Sequence, residues 1–274
     1  MKRFIVFIHI ERAGGTSLHH LLHYNFKNYK TINPYYLYTN KEEAFFRLEN
    51  LKKLLQRYPK LDGIGGHTTR SFLNYESAVN NPIFYITFLR EPISRYMSHF
   101  NYQRQVMNIN WSIEDFIEDE YFNNFQTKRI IGEANFKKAY NELLKYSFVG
   151  LSEEYNQSLL MLSKKIDWYN FNPLYEKKNE IPSKSKSIKF SELDKEVQEK
   201  IISNNSIDIE LYNAVKSEIY YKQKKDYKGN LEKDLIEFEQ QLLQYRYRFF
   251  KKYFNKINKA IFHYFFEKKI VMLK

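Results

Sequence analysis

Residues 7–22, FIHIERAGGTSLHHLL, carry an apolar run into two adjacent glycines and a Thr-Ser pair, after which a helical pattern begins. A strand, a glycine turn and a helix start in that order make an anion site. The first N–H groups of a helix have no partner inside it and point at whatever lies ahead. Ala13, Gly14, Gly15, Thr16 and Ser17 are placed to supply those groups, with the hydroxyls of Thr16 and Ser17 adding hydrogen bonds. A Walker loop would need a Gly-Lys pair here, and the chain has none. A second constellation lies in TFLREPISRYMSHF, residues 87–100. Arg90 ends the most β-branched and aromatic stretch of the chain, and Ser98 follows eight residues later, along a helix expected to start at Glu91-Pro92. A guanidinium fork and a hydroxyl aimed at one place suit a phosphate; a helix start with salt-bridging arginines is the alternative. Two such sites at two strand ends fit a nucleotide with phosphates at both ends of its ribose.

Seven histidines could serve as a base. His9 falls within a strand, His19, His20 and His23 on the first helix, His99 on the helix after Arg90 and His263 in the tail, and each reads as structural. His67 differs, because GIGGHTTR puts it at a glycine-rich strand end on the edge where the anion motifs emerge. A neutral imidazole there could take a proton from a hydroxyl. Glu11 and Glu91 are the alternative carboxylates. Gln126, Thr127, Lys128 and Arg129, within NNFQTKRIIG, either face an acceptor, close over the nucleotide or form an ordinary exposed helix. Arg70 and Arg95 are further candidates for contact with an acidic substrate.

The elements that must position these residues alternate. Strands are expected at residues 4–10, 61–67, 82–89 (a central strand) and 147–150, with helices from Thr16 and at 41–57, 113–119, 123–131 and 135–145. That alternation predicts an α/β fold with a parallel sheet flanked by helices. Residues 176–190 form a lysine-rich polar loop. After Asp226 the composition turns basic and aromatic, so we expect one domain over 1–225 and a helical extension over 226–274. Within it, residues 242–269 repeat apolar side chains every three or four positions among Lys and Arg. Such a helix packs on the domain or on a second subunit in a homodimer, or lies on an anionic membrane surface.

The net charge of +12 calls for an anionic partner without choosing one, and the lack of cysteine excludes disulfides and thiolate–metal sites. No run approaches the roughly 20 apolar residues of a membrane span, and the expected location is the cytoplasm, including the inner face of its membrane.

At these motifs the chain resembles the sulfotransferases that use 3′-phosphoadenosine 5′-phosphosulfate (PAPS). The likeness is to the carbohydrate branch, with the heparan sulfate 2-O- and 6-O-sulfotransferases and related bacterial proteins. The family's 5′-phosphosulfate loop commonly reads His-Ile-Pro-Lys-Thr-Gly-Gly-Thr-Ser, and here the segment His9 to Ser17 reads HIERAGGTS. Arg90 and Ser98 match its 3′-phosphate motif, and NNFQTKRIIG and FVGLSEEYNQSLLML echo later segments, so the resemblance covers residues 4–217. It implies a P-loop-NTPase-like sheet, PAPS held by Arg12 to Ser17 with Arg90 and Ser98, and no metal. It also implies a carbohydrate acceptor (a surface glycan or glycolipid), with no nucleic-acid partner. His67 becomes the general base, and Arg70, Gln126 and Arg129 become acceptor contacts. Arg12 stands where most members have lysine at the leaving group, keeping positive charge but giving up an easily donated proton. Glu11 replaces the usual proline, an acidic group beside an anion site unless it points away or pairs with Arg12. A nucleotide kinase lacks support without Gly-Lys or a Walker-B aspartate. A catalytically weak or inactive binder of nucleotide or anionic glycan is the rival reading.

Overall fold

In the computed structural model, which describes residues 1–32, 45–176, 187–247, 257 and 262, the middle of the sheet is Phe4–Ile8 (β1), five buried residues in succession. It pairs in parallel with Gly63–Gly66 (β3) on one side and Ile83–Leu89 (β4) on the other. Tyr29–Thr31 (β2) lies outside β3 and Phe148–Leu151 (β5) outside β4, giving the parallel order β2-β3-β1-β4-β5. Strands covered on both faces read as unbroken apolar runs, which is why β1 and β4 are so legible in sequence. The chain lays β2 and β3 on one side of β1 and then crosses to β4. The gap between β1 and β4 at their C-terminal ends is thus the switch point where ligands of open α/β sheets bind. The expected P-loop-NTPase-like α/β class holds: β1 leads through a glycine turn into Gly15–Asn25 (α1).

The remaining elements cover the sheet and carry its loops. Leu48–Arg57 (α2) precedes β3; Pro92–Gln105 (α3) follows β4; Ile113–Glu118 (α4), Phe125–Ile131 (α5) and Phe136–Leu143 (α6) lead to β5. Tyr155–Lys165 (α7) follows β5, and then come Lys195–Asn204 (α8) and Ser206–Ala214 (α9). α9 runs through a π-helical turn, Val215–Tyr220, into Tyr221–Lys225 (α10), and Leu231–Gln244 (α11) follows. From α10, Gln223 donates to the carbonyl of Val149 and accepts from its N–H (2.7 and 3.1 Å), closing the open side of the edge strand β5. Phe238 and Leu242 of α11 join the core built around the sheet, while α3, α4 and α8 enclose a smaller cluster around Tyr96, Phe100 and Phe116.

Two expectations change. The helix foreseen over 41–57 begins only at Leu48, because the Phe46 backbone is bonded to Thr68 and Tyr75 instead (2.8 and 2.5 Å); residues 33–44 lie outside the described residues. The helix foreseen over 242–269 is interrupted after Gln244, and the described Ile257 and Phe262 are again helical. Tyr245 is extended, which lets Tyr245 and Tyr247 pack on Tyr24 of α1. Apart from Ile257 and Phe262 the rest of that segment lies outside the described residues, as do 177–186 of the polar loop. Among the described residues no helix is long and apolar enough to cross a membrane.

Candidate active site

The loop after β1 is built around two left-handed residues, Arg12 (φ 68°) and Gly14 (φ 79°). A left-handed residue followed by a helical one turns successive N–H groups toward a common point, a nest for an anion. Gly14 occupies the cap position of α1 with no side chain to satisfy the free N–H groups. Gly15 admits no side chain, since a Cβ would lie 1.9 Å from the His9 ring. One expected donor is already spent: the Ala13 N–H closes the turn onto Ile10 O at 3.3 Å, and Ala13 is buried, so it has no N–H to offer a ligand. Gly14 and Ser17 open instead onto a cavity of ≈ 430 Å³, shared with Arg12, Arg90, Ser94 and Ser152. The Ser152 hydroxyl is buried there with no hydrogen-bond partner among the described residues, a group that a ligand would satisfy.

The second motif meets the first. The Arg90 backbone is bracketed by the Gln126 amide, which accepts from its N–H (2.9 Å) and donates to its carbonyl (2.8 Å). Thus fixed, Arg90 donates from Nη1 to the Arg12 carbonyl at 3.1 Å. Arg12 donates from Nε to Ser98 Oγ at 3.0 Å and lies over the Tyr102 ring, 4.7 Å from its centroid. Burial and then the charge of Arg90 lower the Arg12 pKa. Two guanidiniums held at one cavity repel each other until an anion arrives. Glu91 is not available as a base, because its carboxylate caps α3 at Ile93 N and Ser94 N (3.1 and 2.7 Å).

His67, at the end of β3, is partly exposed and stacks on His9 with ring centroids 4.0 Å apart. Its Nδ1 lies 3.5 Å from Glu11 Oε1 and 3.4 Å from the His9 carbonyl. Glu11 does not pair with Arg12. Arg129 grips it with both Nε and Nη2 (3.1 and 2.8 Å), and Nη2 also donates to the Tyr121 hydroxyl at 2.6 Å. Burial opposes ionisation of Glu11, yet Arg129 and then His67 outweigh it and hold the carboxyl well below its ordinary range.

Behind His67, His9 contacts His19 at 3.2 Å, and His19 contacts the Tyr29 hydroxyl at 2.9 Å. Burial first holds His9 and His99 well below the ordinary 6.5, helped by His67 in one case and Arg95 in the other. The unfolded chain therefore binds more protons than the folded one once pH drops below about 6.5. Stability from these two residues is complete above that pH and is lost as pH falls toward their folded-state values. Urea midpoints should be level from about pH 8 to about pH 7 and decline toward about pH 5. A flat profile across that interval would mean that neither imidazole is kept neutral by the fold.

The three residues expected to meet an acceptor do not present open side chains. Arg70 is fully buried and donates from Nη1 to the carbonyls of His67 and Thr69 (2.6 and 2.8 Å). It shapes the turn that carries His67. Gln126 is buried in its clamp on Arg90, and Arg129 is buried against Glu11 and over the Phe125 ring. Arg95 is fully buried too, and burial brings it down to about 10 although Asp208 opposes the shift. Arg70 and Arg129 thus support the site from behind, whereas Arg95 contacts His99 Nδ1 (3.0 Å) and the Phe125 ring. Thr127 is buried and bonded to Asp208. Sequence reasoning missed Asp208, whose carboxylate accepts from Gln126 N, Thr127 N and Thr127 Oγ1 (2.9, 2.8 and 2.6 Å) and so anchors the start of α5. Nothing in its local pattern, SIDIELYNA, marks it. Among the described residues no group of three or more His, Asp or Glu side chains could hold a metal ion.

A family model described as "Sulfotransferase family" matches residues 2–214. No curated protein matches the chain.

Proposed function

Because the chain belongs to the sulfotransferase family, we propose that it transfers a sulfuryl group from PAPS to a hydroxyl of a carbohydrate, a surface glycan or glycolipid, with His67 as the general base. The observation that carries the reading is the convergence of the Arg12–Ser17 loop and Arg90 on one cavity, with His67 beside them on the same sheet edge. The cavity suits a doubly phosphorylated nucleotide: it has two cations, a nest at the start of α1 and the orphan Ser152 hydroxyl. When bound, such a donor supplies the sulfuryl group and a phosphate leaving group. Gly14 to Ser17 bind the 5′ end through N–H and hydroxyl groups. Arg90 and Ser98 hold the 3′-phosphate, and Arg12 offsets charge gathering on the departing oxygen. His67 Nε2 takes the acceptor's proton.

Transfer of radiolabelled sulfate from PAPS to surface glycans extracted from the host tests the reading. PAPS bound without transfer to any glycan would select the inactive binder instead. The nucleotide contacts are tested separately by calorimetry with 3′-phosphoadenosine 5′-phosphate. Arg90→Ala should weaken binding by about 2–4 kcal/mol, the cost of removing a desolvated charge from its anion. Ser98→Ala should cost about 1 kcal/mol, one hydrogen bond. Wild-type affinity in Arg90→Ala removes the nucleotide from this cavity.

A further inference from the structure

Among the described residues, Nδ1 of His67 faces two groups, the His9 carbonyl at 3.4 Å and Glu11 Oε1 at 3.5 Å. A carbonyl oxygen only accepts, and so does an ionised carboxylate. In the neutral ring, then, Nδ1 carries the proton and the lone pair sits on Nε2. Glu11 itself cannot swing away. Arg129 holds both of its oxygens, and Arg129 is fixed in turn by the Tyr121 hydroxyl and by the Phe125 ring 4.4 Å from its guanidinium carbon.

We propose that Glu11, clamped by Arg129, is a positioning residue that locks His67 in the tautomer able to accept a proton at Nε2. This rests on the reading of His67 as the base and adds to it the group that aims it. The logic is that of the carboxylate in a Ser-His-Asp triad, which sets the tautomer and stabilises the imidazolium without taking the proton itself. When Nε2 receives the hydroxyl proton, the ring becomes a cation whose Nδ1–H still faces the Glu11 carboxylate. The same arrangement explains how an acidic residue is tolerated one position before Arg12: its charge is directed to Arg129 and His67 and away from the anion cavity.

The test begins with nitrogen-15 NMR of histidine-labelled protein at alkaline pH, with His67 assigned by its loss in His67→Ala. The wild type should show a protonated Nδ1 and an unprotonated Nε2. Glu11→Gln should mix the two tautomers. In the transfer assay Glu11→Gln should lower kcat with little change in KM for PAPS, and Glu11→Asp should recover part of the loss. Losing the carboxylate of a triad costs about 10⁴ in turnover, and the longer 3.5 Å approach here scales that to about 10–100-fold. Glu11→Gln leaves Arg129 buried without its counter-charge, so Glu11→Gln/Arg129→Gln provides a charge-balanced variant if the single one does not fold. A wild-type His67 protonated at Nε2 overturns the proposal, as does a Glu11→Gln enzyme with one tautomer and full kcat. If no acceptor is sulfated at all, the sulfotransfer reading fails, and the tautomer spectrum still decides the role of Glu11.

Discussion

His67→Ala should lower turnover by roughly 10²–10⁴-fold, the usual worth of a general base, while affinity for 3′-phosphoadenosine 5′-phosphate stays near that of the wild type. The separation follows from position. His67 lies at the end of β3, where its Nδ1 meets Glu11 and the His9 carbonyl, and it is not among the residues lining the cavity shared by Arg12 and Arg90. Its ring is partly exposed and stacks on His9. Losing that contact should cost about 1 kcal/mol or less, which for a chain of this size moves Tm by only about 2–4 °C. Single-turnover sulfate transfer, calorimetry and thermal melting on the same variant make the comparison. A structural histidine would show the reverse pattern, with a large fall in Tm and a parallel loss of binding. Undiminished turnover would take His67 out of the mechanism. Glu91, spent on its helix cap, and Glu11, held ionised by Arg129, are poor replacements.

Arg12→Ala should nearly abolish transfer, by about 10²–10³-fold, as expected when a preorganised group at the developing charge is deleted. Arg12→Lys should retain turnover or improve it, because an ammonium keeps the charge and also supplies a proton that a guanidinium does not readily release. The structure makes this a demanding comparison. Lysine cannot reproduce the Nε contact to Ser98 together with the stacking on Tyr102, and it must adopt the same left-handed backbone. The Arg12 carbonyl that receives Arg90 is unaffected by either change. Initial rates at saturating donor separate the cases. A lysine variant as inactive as alanine would mean that the loop is shaped around the planar fork.

The parts of the fold that were legible are those with a local cause. β1 is an unbroken apolar run and β4 one interrupted only by Thr87, α3 starts at an acidic cap followed by proline, and the glycine pair marks the turn into α1. β2 was not foreseen because three residues, Tyr29 to Thr31, carry no period, and their pairing with β3 is decided by the sheet. At the site, the meeting of Arg90 and Ser98 with the glycine loop was foreseeable because a motif fixes their spacing. Direction could not be read. Arg70, Arg95 and Arg129 advertise charge, yet all three side chains turn inward, and only the folded chain shows which carbonyl, ring or carboxylate receives them. The Glu11–Arg129 pair joins residues far apart in sequence, and nothing near either one announces the other.

One dependence runs the length of the chain. Asp208 accepts from the first N–H groups of α5, α5 presents Gln126, and Gln126 holds both backbone groups of Arg90. All five strands of the described sheet are complete by Leu151, so they emerge from the ribosome before Asp208 has been made. In that interval the first N–H groups of α5 face water and lack the carboxylate that receives them in the folded chain. The clamp on the Arg90 backbone therefore depends on a residue made well after the last strand of the described sheet.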